Sequence, residues 1–218
     1  MAMIIVFSII KTLMGRDLAG ISYPVFLATS FVSYNMFKNI VFKSMSAFNA
    51  NKALFVYKQV KPFDTIISRF LIEVALALII SIILLCIGLY MGLDITCKNI
   101  FGVIIGFLWI ALFGLSLGIL FAVLATFYEN FEKIIKLIFL PMFFLSGLFY
   151  TADSLPQLAR EILLYNPIFN FIELIHGEYF FPLDTRYVDY NYIILWTLIP
   201  LFIGLWLYKK TERKIIMS

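Results

Sequence analysis

Apolar positions along the chain come in long unbroken runs, and polar ones collect in short gaps between them. A helix crosses the hydrocarbon with about 20 mostly apolar residues. Runs of that kind cover 24–48, 66–93, 100–127, 134–150 and 192–208. They lack the alternation of strands and are far longer than barrel segments, so the reading is an all-α polytopic membrane protein. Ahead of them, 1–14 is apolar apart from Lys11. It is too short to cross alone. No basic region precedes it and no small-residue cleavage site follows, so it does not read as a signal peptide. It reads as the last part of a span, with an N-terminal truncation or a late start as the expectation. Counting it makes six spans, the first incomplete, in one transmembrane domain over 1–218.

Composition closes off other classes. Of 218 residues, 63% are hydrophobic and 14% charged, and the mean hydropathy is +0.99. Soluble domains run nearer half apolar and a quarter charged. A soluble core of this size could not hide that much apolar surface. A soluble enzyme, a disordered tail and a disulfide scaffold are excluded. The net charge of +4 becomes informative once it is divided among the loops. One side (48–64, 128–136, 209–218) carries nine Lys and Arg; the other (15–23, 94–99, 151–191) carries four, with eight acids. The positive-inside rule puts the first side and the C-terminus in the cytoplasm. Inner loops sum to +5, outer loops to −4 and the spans to +3, a topology signal rather than a nucleic-acid signature.

Two connections are more than links. The outer segment 151–191 is too long for a structureless loop. Asp153 or Ser154 is expected to cap a helix opened by Pro156, which stops before Asn166–Pro167. A second short helix follows, ending near Phe181–Pro182. Each has about 10–12 residues, roughly 15–18 Å, and cannot span. They read either as a cap packed on the bundle or as re-entrant helices gating the outer mouth of a pathway, with Asp153, Pro156, Asn166 and Pro167 as gate residues. On the inner side, FNANKALFVYKQVKPFD predicts a short surface helix, capped by Asn49 or Asn51 and ended before Pro62. It reads equally as a helix held by anionic lipid heads or one inserted into a partner's groove.

The stretch ANKALFVYKQVKPFDTIISR resembles the first cytoplasmic loop of the capsular polysaccharide export permeases, a class of type-2 ABC exporter. PMFFLSGLFYTADSLPQLAREILLYNPIFNFIEL resembles the fifth span and outer re-entrant region of the same family. The resemblance runs from Met1 to the C-terminus and departs at the short N-terminus. It implies an inner-membrane homodimer joined to two cytoplasmic ATPase subunits. ATP and Mg would bind the partner, no cofactor would bind this chain, and lipid-linked polysaccharide would pass outward. Periplasmic and outer-membrane export components would be further partners, besides membrane lipids. By matching position, Asn51, Lys52, Ala53, Leu54, Tyr57 and Gln59 fall in the family's coupling helix (51–60), which docks on the ATPase. Leu54 and Tyr57 are expected to be buried there. Rivals are a type-2 permease for O-antigen, teichoic acid or a drug, and a membrane scaffold without a pathway.

The chain has no GxxxxGK phosphate loop, no HExxH and no paired metal spacing, so an enzyme reading is weak. His176 is alone and reads as a hydrogen-bonding or interface residue. Cys86 lies in the third span and Cys97 in the following turn; eleven helical residues would separate them by roughly 16 Å, beyond disulfide reach. Charges inside spans are functional suspects. Arg69 and Glu73 are spaced as a self-neutralising i,i+4 pair, and Lys43 can snorkel. Lys38 lies deeper and either faces a dimer interface or pathway, where it would meet an anionic lipid-linked sugar, or snorkels or pairs with Glu73. Phe143, Phe144, Phe149 and Tyr150 read as ordinary packing or as a sugar-stacking conduit. Tyr23, Tyr90, Tyr150, Tyr192 and Tyr208 suit an interfacial belt. Gly88-x-x-x-Gly92, Gly102-x-x-x-Gly106 and Gly114-x-x-x-Gly118 predict close helix packing within the subunit. Pro141 and Pro200 predict kinks, the former a hinge.

Overall fold

The computed structural model describes residues 21–55 and 61–217, and every regular element among them is helical. In chain order these are α1 (Tyr23–Met45), two single turns α2 (Ala47–Ala50) and α3 (Lys52–Phe55), α4 (Pro62–Tyr90), α5 (Ile100–Phe127), α6 (Phe131–Leu145), a 3-10 turn (Ala152–Ser154), α7 (Gln157–Leu164), α8 (Pro167–Tyr179) and α9 (Tyr190–Met217). The expected first-span remnant 1–14 and positions 56–60 of the expected coupling helix lie outside the described residues.

Among the described residues three helices are long and apolar enough to cross a membrane: Pro62–Tyr90, Ile100–Phe127 and Tyr190–Glu212. α4 leaves Leu71, Ile72, Leu78 and Ile82 exposed, as a face solvated by lipid chains would be. α1 is long enough too, about 34 Å for its 23 residues, but it is more polar and mostly buried. Its polar side chains are satisfied within the helix: Thr29, Ser30, Ser33 and Asn35 donate to the carbonyls four residues back, at 2.7–2.9 Å. That removes the cost of burying them.

The expected span 134–150 differs. Its helix, α6, has 15 residues and stops at Leu145, about 22 Å long against a hydrocarbon of about 30 Å. The chain turns at Gly147, whose φ of +74° is a conformation glycine adopts freely. At the other end, α9 continues through the basic run 209–217, which the hydropathy pattern places outside the last span. Both α6 and α9 carry their prolines, Pro141 and Pro200, inside the helix.

The chain divides into two compact units. The first takes Met1–Asn35, Ala77–Trp109 and Phe143–Asp189; the second takes Met36–Leu76, Ile110–Met142 and Tyr190–Ser218. In the first, Gly106 lets α5 meet Ile175 of α8, where a Cβ would come within 2.9 Å. In the second, a Cβ at Gly118 would lie 2.7 Å from Ser44 Cβ, and one at Gly114 3.3 Å from Ile40. Four of the six glycines in the predicted small-residue motifs, Gly102, Gly106, Gly114 and Gly118, therefore meet another helix as expected, while Gly88 meets Ile95 in the loop that follows α4. Gly92 has nothing within 4 Å of its Cβ position, and its φ is +67°. It ends α4, with Gly92 N–H donating to Leu89 O and Leu93 N–H to Gly88 O, the paired bonds of a Schellman cap. The second unit's core gathers Phe48, Phe55, Ile66, Ile119 and Tyr208. Tyr208, expected in an interfacial belt, is thus buried instead, and its hydroxyl donates to Glu212 at 2.9 Å.

Candidate functional site

In the first unit, the four aromatic residues singled out from the sequence meet. Phe143 lies 5.1 Å from Phe144 and 5.7 Å from Phe149 between ring centroids. Tyr150 donates to Phe144 O at 2.8 Å. The turn at Gly147 folds Phe149 and Tyr150 back on the end of α6, which a continuous span could not do. Phe31 and Tyr34 of α1 join the cluster, 5.7 and 5.6 Å from Phe143. Neither is among the residues singled out by sequence, although Phe31, Tyr34 and Phe37 recur at three-residue spacing along α1. Phe144 remains 57% exposed, so the cluster presents an open ring face.

The four gate residues also fall in this unit. Asp153 does not cap α7; it pairs with Arg186. The cap position of α7 is Pro156, which makes no side-chain cap bond. Ser154 closes the preceding 3-10 turn instead, accepting from Thr151 N and donating to Thr151 O. Asn166 is the true cap of the region: its Oδ1 accepts from Ile168 N at 3.0 Å, and its Nδ2 donates to Leu145 O at 3.0 Å. It therefore ties the start of α8 to the end of α6, with Pro167 at the first helical position, where no N–H is needed. Arg160 and Arg186 both lie over the Tyr187 ring, 4.8 Å from its centroid. α7 buries none of its residues and exposes Leu158 and Ile162, with Tyr165 just beyond. α8, by contrast, is almost wholly buried.

Buried polar groups concentrate on α8. Glu173 is 3% exposed and accepts from Ala152 N at 3.2 Å. Burial pushes its carboxyl up to about 7; the Ala152 bond pulls the other way, and Asp153 and Asp184 add to the rise. His176 is fully buried against Phe26, 4.2 Å between centroids, and burial pushes it down to about 3. Its Nε2 lies 2.8 Å from Ser30 Oγ. The Ser30 hydroxyl already donates to Phe26 O, so the imidazole donates from Nε2. Nδ1 is then an acceptor, without a partner among the described residues. The expected hydrogen-bonding role of His176 is what the geometry supplies. A cavity of about 550 Å³, with almost wholly apolar walls, lies in the same unit between Val25, Val32, Leu84, Gly88, Phe107 and Tyr179.

The second unit holds Lys38, Lys43, Arg69 and Glu73. The expected Arg69–Glu73 pair does not form. Glu73, 3% exposed, is paired with Lys43, which is 49% exposed. Arg69 instead donates to Lys43 O at 2.9 Å and reaches Ser46 Oγ at 3.5 Å. The reason is competition: an i,i+4 pair is worth only about 0.2–0.5 kcal/mol, whereas the end of α1 offers Arg69 unsatisfied carbonyls and Glu73 a cation. Lys43 therefore does not simply snorkel, and Glu73 is taken by Lys43 rather than by Lys38. Lys38 is half-buried on α1 and belongs to this unit.

The coupling-helix positions are partly visible. Asn51 ends α2, its Nδ2 donating to Ala47 O at 2.8 Å. Lys52 is exposed at the start of α3. Phe55 turns into the unit's core at 4% exposure. The side chains of Ala53 and Leu54, and Tyr57 and Gln59 entirely, lie outside the described residues. Among the described residues no three of His, Cys, Asp and Glu gather as a metal site.

The polysialic acid transport protein KpsM of Escherichia coli is 29% identical over 216 residues, 99% of this chain and 84% of the relative. The capsule polysaccharide export inner-membrane protein CtrC of Neisseria meningitidis serogroup A is 27% identical over 190 residues, 87% of this chain and 72% of the relative. BexB of Haemophilus influenzae, with the same description, is 26% identical over 193 residues, again 87% and 72%. The family model described as ABC-2 type transporter matches residues 1–180. With its long apolar helices and a match over most of its length, the chain belongs to the ABC-2 type transporter membrane family.

Proposed function

We propose that this chain is the permease subunit of an ATP-driven exporter that moves lipid-linked capsular polysaccharide outward across the bacterial inner membrane. The observation that carries the reading is the similarity to capsule and polysialic acid transport proteins over nearly the whole chain. The chain is a transport subunit rather than an enzyme; ATP and Mg belong to a cytoplasmic ABC ATPase. Two copies of this chain and two ATPase subunits form the working unit, with C-termini in the cytoplasm. The six-span plan with an incomplete first span, and the two short outer helices as re-entrant elements, belong to the same reading. The loop 51–60 is its coupling helix. Phe55 buried in the unit's core gives that loop a rigid mount, so a push on its exposed side is carried into α1 and α4. The ring face at Phe143, Phe144, Phe149 and Tyr150 stacks passing sugars, and Asn166, joining α6 to α8, sets the outer gate. Lys38 faces the pathway.

The test is deletion of the full-length gene and complementation. Loss of surface capsule with polymer retained in the cytoplasm, restored by the gene, is expected. Retention of O-antigen or teichoic acid instead would replace the substrate, and an unchanged surface would reject export. Purification of an ATPase with the chain, and ATP hydrolysis dependent on it, checks the partner.

A further inference from the structure

We propose that Lys43 and Arg69 hold the phosphate of an anionic lipid in the inner leaflet. The inference starts from a charge imbalance. Glu73 and Arg69 lie one turn apart on α4, and both are drawn to the end of α1: Glu73 to the Lys43 ammonium, Arg69 to the Lys43 carbonyl. Two cations therefore stand beside a single carboxylate, which pairs with Lys43. That carboxylate is buried, while the Lys43 side chain is 49% exposed. Glu73 thus anchors the lysine from the protein side and leaves its other ammonium hydrogens facing outward. Arg69 uses Nη1 for Lys43 O and Ser46 Oγ. Among the described residues no hydrogen bond or ion pair uses its Nε or Nη2, and no carboxylate pairs with it. The planar fork of a guanidinium is the group that grips phosphate oxygens in pairs, and a lysine beside it adds a point charge.

Position supplies the rest. Lys43 lies two residues before the end of α1, and Arg69 seven residues into α4. On the topology of the exporter reading, on which this proposal rests for its leaflet, that is the cytoplasmic edge of the hydrocarbon, where anionic headgroups meet basic side chains. The neighbouring face of α4 is apolar and exposed, with Leu71 at 59% and Ile72 at 55%. A lipid whose phosphate sits on the cations can lay its chains there. The phosphate can come from a bulk phospholipid or from the lipid end of a saccharide conjugate.

The full chain, purified in neutral detergent and delipidated, is offered equal phosphatidylglycerol and phosphatidylcholine, and bound lipids are counted by native mass spectrometry. About a tenfold preference for phosphatidylglycerol is expected, from one to two charge-assisted contacts. R69Q should bring it near parity, with R69K in between. K43Q alone leaves Glu73 buried without its cation, so the double variant K43Q/E73Q, which leaves no orphaned charge, checks the lysine and should also lower the preference. No preference in the natural chain, or the same preference in R69Q and the double variant, overturns the proposal. Lipid carried through purification from the producing cell identifies the source. A phosphatidylglycerol mass and a lipid-linked saccharide mass each support the phosphate site, and absence of any anionic lipid counts against it. Binding is read without transport, so a chain that fails to export capsule can still pass this test, and the reverse.

Discussion

Replacing Lys43 with methionine tests the charged centre of the second unit. The substitution keeps the length and apolar stem of the side chain and removes the cation from a carboxylate that is 3% exposed. Removing one partner from a fully buried pair costs about 3–5 kcal/mol, and from a fully exposed pair about 0.2–1 kcal/mol. Here the carboxylate is buried but the lysine is 49% exposed, so water already screens one end and the loss falls between, at about 2 kcal/mol. Glu73→Gln should cost less, about 1 kcal/mol, because the freed lysine can extend to the aqueous edge and the amide is uncharged. The double variant carries neither charge and should return to within about 1 kcal/mol of the natural chain. The assay is unfolding in mixed micelles with increasing dodecyl sulfate, followed by circular dichroism, for all four proteins of the cycle. The reasoning is refuted if Lys43→Met unfolds with the natural chain, or if the double variant shows the sum of the two single losses.

Three further outcomes follow from α8 and the glycine contacts. Glu173 is held protonated up to about 7 against an ordinary 4.5, so its contribution is whole below pH 4.5 and is lost as pH rises through 7, at most about 1.4 kcal/mol per unit. His176, pushed down to about 3 from 6.5, does the reverse, and stability falls as pH drops below 6.5. The two slopes oppose each other between pH 4.5 and 6.5; E173Q should leave only the histidine's, a steady fall below pH 6.5 in a melting-temperature series, and an unchanged profile would count against the burial argument. Gly118→Ala should cost about 1–3 kcal/mol by overpacking against Ser44, whereas Gly92→Ala, with open space around it, should cost only about 1 kcal/mol of left-handed backbone strain; equal losses would refute the distinction. Asn166→Ala removes the α8 cap and the tie to Leu145, and should cost about 1–2 kcal/mol, with α8 amides exchanging hydrogen faster than those of α5.

How far local pattern reaches is visible element by element. The run 100–127 became a helix with those bounds, because an uninterrupted apolar stretch with no turn residue has one outcome in a bilayer. Four of the expected spans lie near their helices, and two of the three glycine pairings, at 102/106 and 114/118, mark where helices touch. The fifth span departs from its expectation at one residue, Gly147: hydropathy does not register a φ of +74°, so a turn that gathers the aromatic cluster reads as more helix. Tyr208 reads as a belt residue because it sits at the end of an apolar run, although the space beside Phe48 and Phe63 claims it.

Charges show the division most sharply. Sequence alone determined that the chain lives in a membrane, which loops are basic, and that Lys38, Lys43, Arg69 and Glu73 stand where charge is costly. It also carried the family resemblance, since motif order needs no coordinates. Which charge meets which was decided only by tertiary structure. Spacing along α4 favours Arg69 with Glu73, yet the end of α1, some 26–30 positions away, takes both. The physical reason is that a helical neighbour offers a few tenths of a kcal/mol, whereas a buried carboxylate and a row of open carbonyls each impose a cost several times larger that only a particular packing partner can relieve.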